Sequence, residues 1–133
     1  MILTRRVLNR MIAQTYRLGL MGERDRLIMR ALYESDLTVA ELVRIRNRDV
    51  DLRAKTFMVR GVRPRRIVIE RRLFSQITFY RERVCGFLGL GDRHERLFLY
   101  DFRTPFTVRD VRRMLEVYRR AAGLSAVGED DAC

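Results

Sequence analysis

Apolar residues recur at helical spacing along most of the chain. Thr4 is placed to cap a first helix carrying Val7, Leu8, Met11 and Ile12 on one face, and Gly19 favours a stop after Arg17-Leu18. Residues 23–34 read as a second helix with Leu27, Ile28, Ala31 and Leu32 inward. Thr38-Val39-Ala40-Glu41 matches a capping box just before Leu42, Val43 and Ile45, which predicts a third helix start. The period then shortens. Val50-Asp51-Leu52, residues 56–60 and residues 65–70 are extended in character, with a break at Gly61-Val62-Arg63-Pro64, so a small antiparallel sheet with a hairpin tip at 61–64 is expected. Helical spacing returns over residues 71–85, presenting Leu73, Phe74, Ile77, Tyr80, Val84 and Phe87, with Cys85 as a small core residue. A connection containing Gly86, Gly89 and Gly91 leads to a short strand at Leu97-Phe98-Leu99-Tyr100. Thr107 caps a last helix reaching about Ala122, with Val111, Met114, Leu115 and Tyr118 on one face. The expected fold class is α+β, mainly helical, with one layer of helices around a small curled antiparallel sheet. Residues 1–124 make one domain, and 125–133 form a small acidic tail expected to fray.

Composition adds a partner class. At 133 residues and 47% apolar content, the chain can bury a core without disulfides or metal. Its charge is lopsided: 28 basic residues, of which Lys55 is the sole lysine, against 17 acidic ones leave a net charge of +11. A surface this basic attracts polyanions through counterion release, and arginine's planar fork suits phosphates and guanine edges. GC-rich coding would explain arginine over lysine but not the surplus of positive charge. A membrane surface or an acidic protein is the alternative partner. Cys85 and Cys133 lack metal-ligand spacing and His94 stands alone, so neither a metal nor any other cofactor is expected. With no apolar run near the ~20 residues of a membrane span, and no signal-peptide pattern at the start, a soluble intracellular protein is expected, cytoplasmic or nucleoid-associated.

Two arginine clusters are the candidate nucleic-acid sites. The hairpin and its flank hold Arg60, Arg63, Arg65, Arg66, Arg71 and Arg72, with Glu70 as their one acidic neighbour. A solvated charged face is the bland alternative, but the pattern recurs at the last helix. There Arg109, Arg112 and Arg113 lie away from the apolar stripe, with Arg103 and Thr107 at its start. Arg119 and Arg120 are better read as complementing the helix dipole.

The order of these segments resembles the catalytic domain of the tyrosine recombinases, the phage integrase family. Leu3-Thr4-Arg5-Arg6-Val7-Leu8 is similar to the family's L-T-x-x-E-V/L opening, and Gly22-Glu23-Arg24-Asp25-Arg26-Leu27 to its G-x-R-D-R-A-L helix start. Residues 32–42, LYESDLTVAEL, resemble L-Y-x-T-G-L-R-V-S-E-L, and Arg48-Asp49-Val50-Asp51-Leu52 resembles W-x-D-I-D. Val59-Arg60-Gly61 with Arg66-Ile67-Val68 resembles the family's hairpin, while Leu97-Phe98-Leu99 and residues 107–124 complete the series. The resemblance covers about residues 3–124 and rests on order and spacing rather than on one motif.

The departures fall on the catalytic positions. Family members cleave DNA with a tyrosine nucleophile and stabilise the phosphate with arginines, a lysine and histidines. Thr38 stands where the resemblance implies the first arginine, and Val62 where it implies the hairpin lysine. Arg63 or Arg65 could replace that lysine's charge but not its proton, because arginine does not titrate. The family's H-x-x-R segment and tyrosine follow its A-G-L stretch, and after Leu124 this chain runs only to Cys133. The resemblance therefore implies a truncated, non-catalytic relative that binds duplex DNA, the hairpin reaching toward the groove and the last helix entering it. No small-molecule substrate is expected. Missing C-terminal helices would uncover apolar surface, so a homodimer or a recombinase partner is the protein partner to expect. Two alternatives stay open: a fragment of a split recombinase completed by a second chain, and an oligomerising interaction module. RNA remains an alternative to DNA.

Overall fold

The computed structural model describes residues 4–85, 95–100 and 104–123, side chains at 84 and 85 excepted. The packing expected of Val84, Cys85 and Phe87, the glycine-rich connection, His94, Arg103 and the acidic tail lie outside the described residues. Helix α1 spans Arg5–Ala13, and the Thr4 hydroxyl accepts from the Val7 N–H as its cap. A 3-10 turn, Gln14–Arg17, leads into α2, Gly19–Glu34. Gly19 does not end the preceding helix, as its position suggested; it starts α2 four residues ahead of the expected start. Its φ of +56° turns the chain between the two elements, which a side chain would oppose.

Helix α3 is short, Val39–Val43, and carries the capping box read from the sequence. The sheet follows. Strands β1 (Val50–Asp51), β2 (Thr56–Val59) and β3 (Arg65–Val68) pair antiparallel in the order β1-β2-β3, with Met58 opposite Arg66 and Val59 opposite Arg65. Phe57 and Val59 of β2 are in the core, while on β3 Arg66 and Val68 are exposed between the half-buried Arg65 and Ile67. Helix α4, Arg71–Phe79, then loosens into a π-helical turn at Tyr80–Cys85. Glu70 caps α4, accepting from the N–H groups of Arg72 and Leu73, and this holds its carboxyl below the ordinary range.

The strand expected at 97–100 is reduced to single bridges. Arg46 pairs with Arg96 and Leu99 with Pro105, and Leu97 N–H donates to Ile45 O at 2.9 Å. The Leu99–Pro105 bridge is closed by Tyr100 N–H to Thr104 O at 2.7 Å and Phe106 N–H to Phe98 O at 3.3 Å, so Pro105 sits at a pair that needs no N–H from it. Leu97, Phe98 and Leu99 are nevertheless buried. Helix α5, Val108–Ala121, ends the described chain, with Val111, Leu115 and Tyr118 in the core. One apolar cluster joins α1, α2, α3, the inner sheet face, α4 and α5. The fold is mainly helical with a small three-stranded antiparallel sheet, as the periodicity predicts.

Two features were not visible in the hydrophobic pattern. Gly22 packs so close to the 3-10 turn that a Cβ would lie 2.0 Å from Thr15 O. Just beyond it, Arg24, Asp25 and Arg26 are all buried. Arg24 donates through Nε to Asp25 Oδ1 at 2.9 Å and through Nη1 to the carbonyls of Leu99 and Tyr100, and stacks over Phe106 at 4.8 Å. The Tyr118 hydroxyl donates to Asp25 Oδ2. Burial and this bond hold the Tyr118 phenol well above its ordinary value, so it stays a donor. Arg26 donates to the Thr15 hydroxyl at 2.8 Å, pairs with Glu23, and lies 4.1 Å from the Tyr16 ring centroid. These buried charges fasten α2 to α5, to the carbonyls of Leu99 and Tyr100 and to the Phe106 ring.

Candidate nucleic-acid interface

The hairpin arginines do not act as one cluster. Strand alternation sends Arg65 and Ile67 toward the body of the protein and Arg66 and Val68 outward. Arg65 is spent on the fold: its Nη1 bonds Glu41 Oε2 at 2.7 Å and its Nη2 bonds Glu41 Oε1 at 3.2 Å. Glu41 is also the capping-box residue, accepting from the Thr38 N–H at 3.0 Å while the Thr38 hydroxyl accepts from the Glu41 N–H at 3.1 Å. The bonds from Arg65 first, and from the Thr38 backbone second, lower the Glu41 pKa to about 2. Thr38 is thus fully used as a helix cap.

Arg60 is partly committed as well. Its Nε donates to Asp49 Oδ1 at 2.8 Å, and Asp49 is fully enclosed. Glu70 was expected to be the acidic neighbour of this cluster; instead it caps α4, and Glu41 and Asp49 do the pairing. Both come from elements distant in sequence, which is why their role was missed. Arg63 and Val62 stand at the hairpin tip, Val62 at 97% exposure, and Gly61 turns there with φ +132°. Arg44, overlooked in the sequence, brings its guanidinium to this tip, where a Cβ on Gly61 would sit 3.6 Å from its Nη1. Arg66, Arg71 and Arg72 are exposed, the last two on the first turn of α4.

The second group is cleaner. Arg109, Arg112 and Arg113 are exposed on α5 opposite its buried stripe, as the helical period requires. Thr107 is occupied as the cap, its hydroxyl accepting from the Asp110 N–H at 3.1 Å while Asp110 accepts from the Thr107 N–H. Arg119 lies in the last turn of α5, as the dipole reading placed it, but it is also buried, which its charge did not suggest. It is 4% exposed, with Nε 3.3 Å from Glu116 Oε2, because it follows Leu115 by one helical turn and shares the apolar face. Arg120 does stay exposed and bonds the other Glu116 oxygen at 3.2 Å. The two arginine groups are linked through α3, whose Glu41 holds Arg65 and which packs against α5.

Among the described residues, no group of three His, Cys, Asp or Glu side chains converges on a metal site, and no helix is long and apolar enough to cross a membrane. The crystal structure of XerA recombinase superposes with a TM-score of 0.74 over 92% of this chain and 43% of that one, at 21% identity. The fold is tyrosine recombinase-like. The sequence agrees: tyrosine recombinase XerC of Staphylococcus saprophyticus is 30% identical over 107 residues, which cover 80% of this chain. The chain spans about a third, 36%, of the length of that relative. No family model matches. The recombinase relationship inferred from the ordered motifs is therefore supported by both sequence and fold.

Proposed function

We propose that this recombinase-like chain binds duplex DNA through its exposed arginines and does not cleave it. The observation that carries the reading is how the charge is distributed. Arg63, Arg66, Arg71, Arg109, Arg112 and Arg113 are exposed on the hairpin, the first turn of α4 and the outward face of α5. Guanidiniums set outward on a turn and a helix can reach phosphates and base edges without giving up a fold contact. At the positions where cleavage chemistry would need charge, Thr38 is closed into its capping box and Val62 is apolar. Arg65, the nearest basic candidate, is neutralised by Glu41. The names of the relatives, both recombinases, favour DNA over the other polyanions. A nucleoid-associated location would follow from such binding.

The test has two arms. Affinity for a duplex should fall steeply with salt, and charge reversal at Arg63, Arg109 and Arg113 should weaken it while far-UV CD stays unchanged. Supercoiled plasmid and suicide duplexes should yield no nicks and no covalent adduct. An adduct would overturn the non-catalytic half of the proposal, and salt-insensitive or absent binding would overturn the other half.

A further inference from the structure

The outward face of the sheet carries a cavity that neither the hairpin tip nor α5 accounts for. Its volume is about 220 Å³, and Arg48, Arg60 and Arg66 line it together with Asp49, Asp51 and Thr56. Met58, opposite Arg66 in the β2–β3 register, completes it. Both carboxylates are already engaged. Asp49 accepts from Arg60 Nε at 2.8 Å and from the Arg46 N–H at 3.0 Å, and Asp51 Oδ1 accepts from the N–H groups of Arg53 and Ala54, both at 3.0 Å. Arg48, on the 3-10 turn Asn47–Asp49, and Arg66, on β3, are exposed and make no ion pair among the described residues.

We infer that this cavity binds a phosphodiester, with Arg48 and Arg66 as its two donors. Three guanidiniums facing two occupied carboxylates leave one net positive charge, which a monoanion neutralises. A second charge on the anion would meet Asp51 and Asp49 without a cation of its own. Guanidinium groups bind phosphate oxygens through paired N–H donors, and the two come from different elements, so they can grip an anion from two sides. Arg60 takes the positioning part: its bond to Asp49 fixes the turn that carries Arg48. This assignment rests on the DNA-binding reading for the source of the phosphodiester, a duplex backbone, but the cavity's chemistry is independent of it.

The experiment follows arginine side-chain Nε–H resonances in the full chain by NMR. Dimethyl phosphate, inorganic phosphate and a short duplex are titrated separately, into wild type and into Arg66→Ala and Arg48→Ala. Dimethyl phosphate should move the Arg48 and Arg66 signals saturably, and each substitution should abolish the response of the other arginine. In a duplex salt series each substitution should reduce the slope of log K against log salt by about 1. If dimethyl phosphate moves these signals but no duplex binds, the site stands and the DNA reading fails. If the duplex binds with an unaltered slope in both variants and dimethyl phosphate moves neither signal, the DNA reading stands and this site is refuted. Stronger binding of inorganic phosphate than of dimethyl phosphate would overturn the monoanion assignment. Both substitutions are at exposed positions, and far-UV CD of each variant should match wild type.

Discussion

Asp25 should be among the most damaging positions to alter, although it touches no candidate DNA contact. It is 4% exposed, beside Arg24 at 3% and Tyr118 at 4%. Asp25→Ala removes the carboxylate held by Arg24 at 2.8 and 2.9 Å and leaves a guanidinium buried without its counter-charge. Breaking a buried pair in this way costs about 3–5 kcal/mol, against a total stability of about 5–15 kcal/mol for a domain. Tyr118→Phe keeps the ring in the core and removes only the donor to Asp25, so it should cost about 1–3 kcal/mol. Urea unfolding followed by far-UV CD measures both. With slopes of about 1–3 kcal/mol/M, Asp25→Ala should move the midpoint down by more than about 1 M. The double change Arg24→Met, Asp25→Leu should cost less than the sum of its single changes, because it removes both charges together. A midpoint for Asp25→Ala within about 0.3 M of wild type would refute the argument that these charges hold α2 to α5.

Glu41→Gln keeps a capping side chain but loses the charge that holds Arg65. The Glu41 pKa falls on folding from 4.5 to about 2, so its contribution is fully present above about pH 5 and lost as pH drops through 2. The stability gap between wild type and Glu41→Gln should be constant at neutral pH and close between about pH 4.5 and 2; a gap that widens on acidification would contradict the pairing. Arg65→Ala should lower the melting temperature, whereas Arg63→Ala should leave the melting curve in place and weaken duplex binding. Gly22→Ala drives a Cβ into the Thr15 carbonyl, a backbone atom that cannot step aside, and should cost at least about 1–3 kcal/mol by thermal melting.

Helix identity was legible in the sequence wherever apolar spacing and a cap coincided. Thr4, Thr38 and Thr107 all cap the helices expected of them. The sheet was legible too, from the change to period two and the break at Gly61. What escaped was pairing across long sequence distances. Nothing local to Arg65 points to Glu41, and nothing local to Asp25 points to Tyr118, so a count of arginines overestimates how many are free. Arg119 shows the same limit in reverse, since its charge suggests solvent while its helical position places it on the buried stripe. Alternation along β3 was available and would have separated Arg66 from Arg65. The bond that commits Arg65 lies in the fold, not in the strand. The G-x-R-D-R motif was recognised as a resemblance before its physical meaning was apparent: a glycine for close approach, then three buried charges.

The bond between Asp25 and Tyr118 spans 93 positions of sequence. At a synthesis rate of about 5–20 residues per second, α2 would emerge from a ribosome roughly 5–20 s before the phenol that completes its buried charge network. During that interval the first turns of α2 must keep their ions in water, so the nascent chain cannot close its core in the order it is made. A chain halted before α5 should remain open to proteolysis within α2 even though every residue of that helix is present. Closure of the N-terminal half is therefore timed by the last helix.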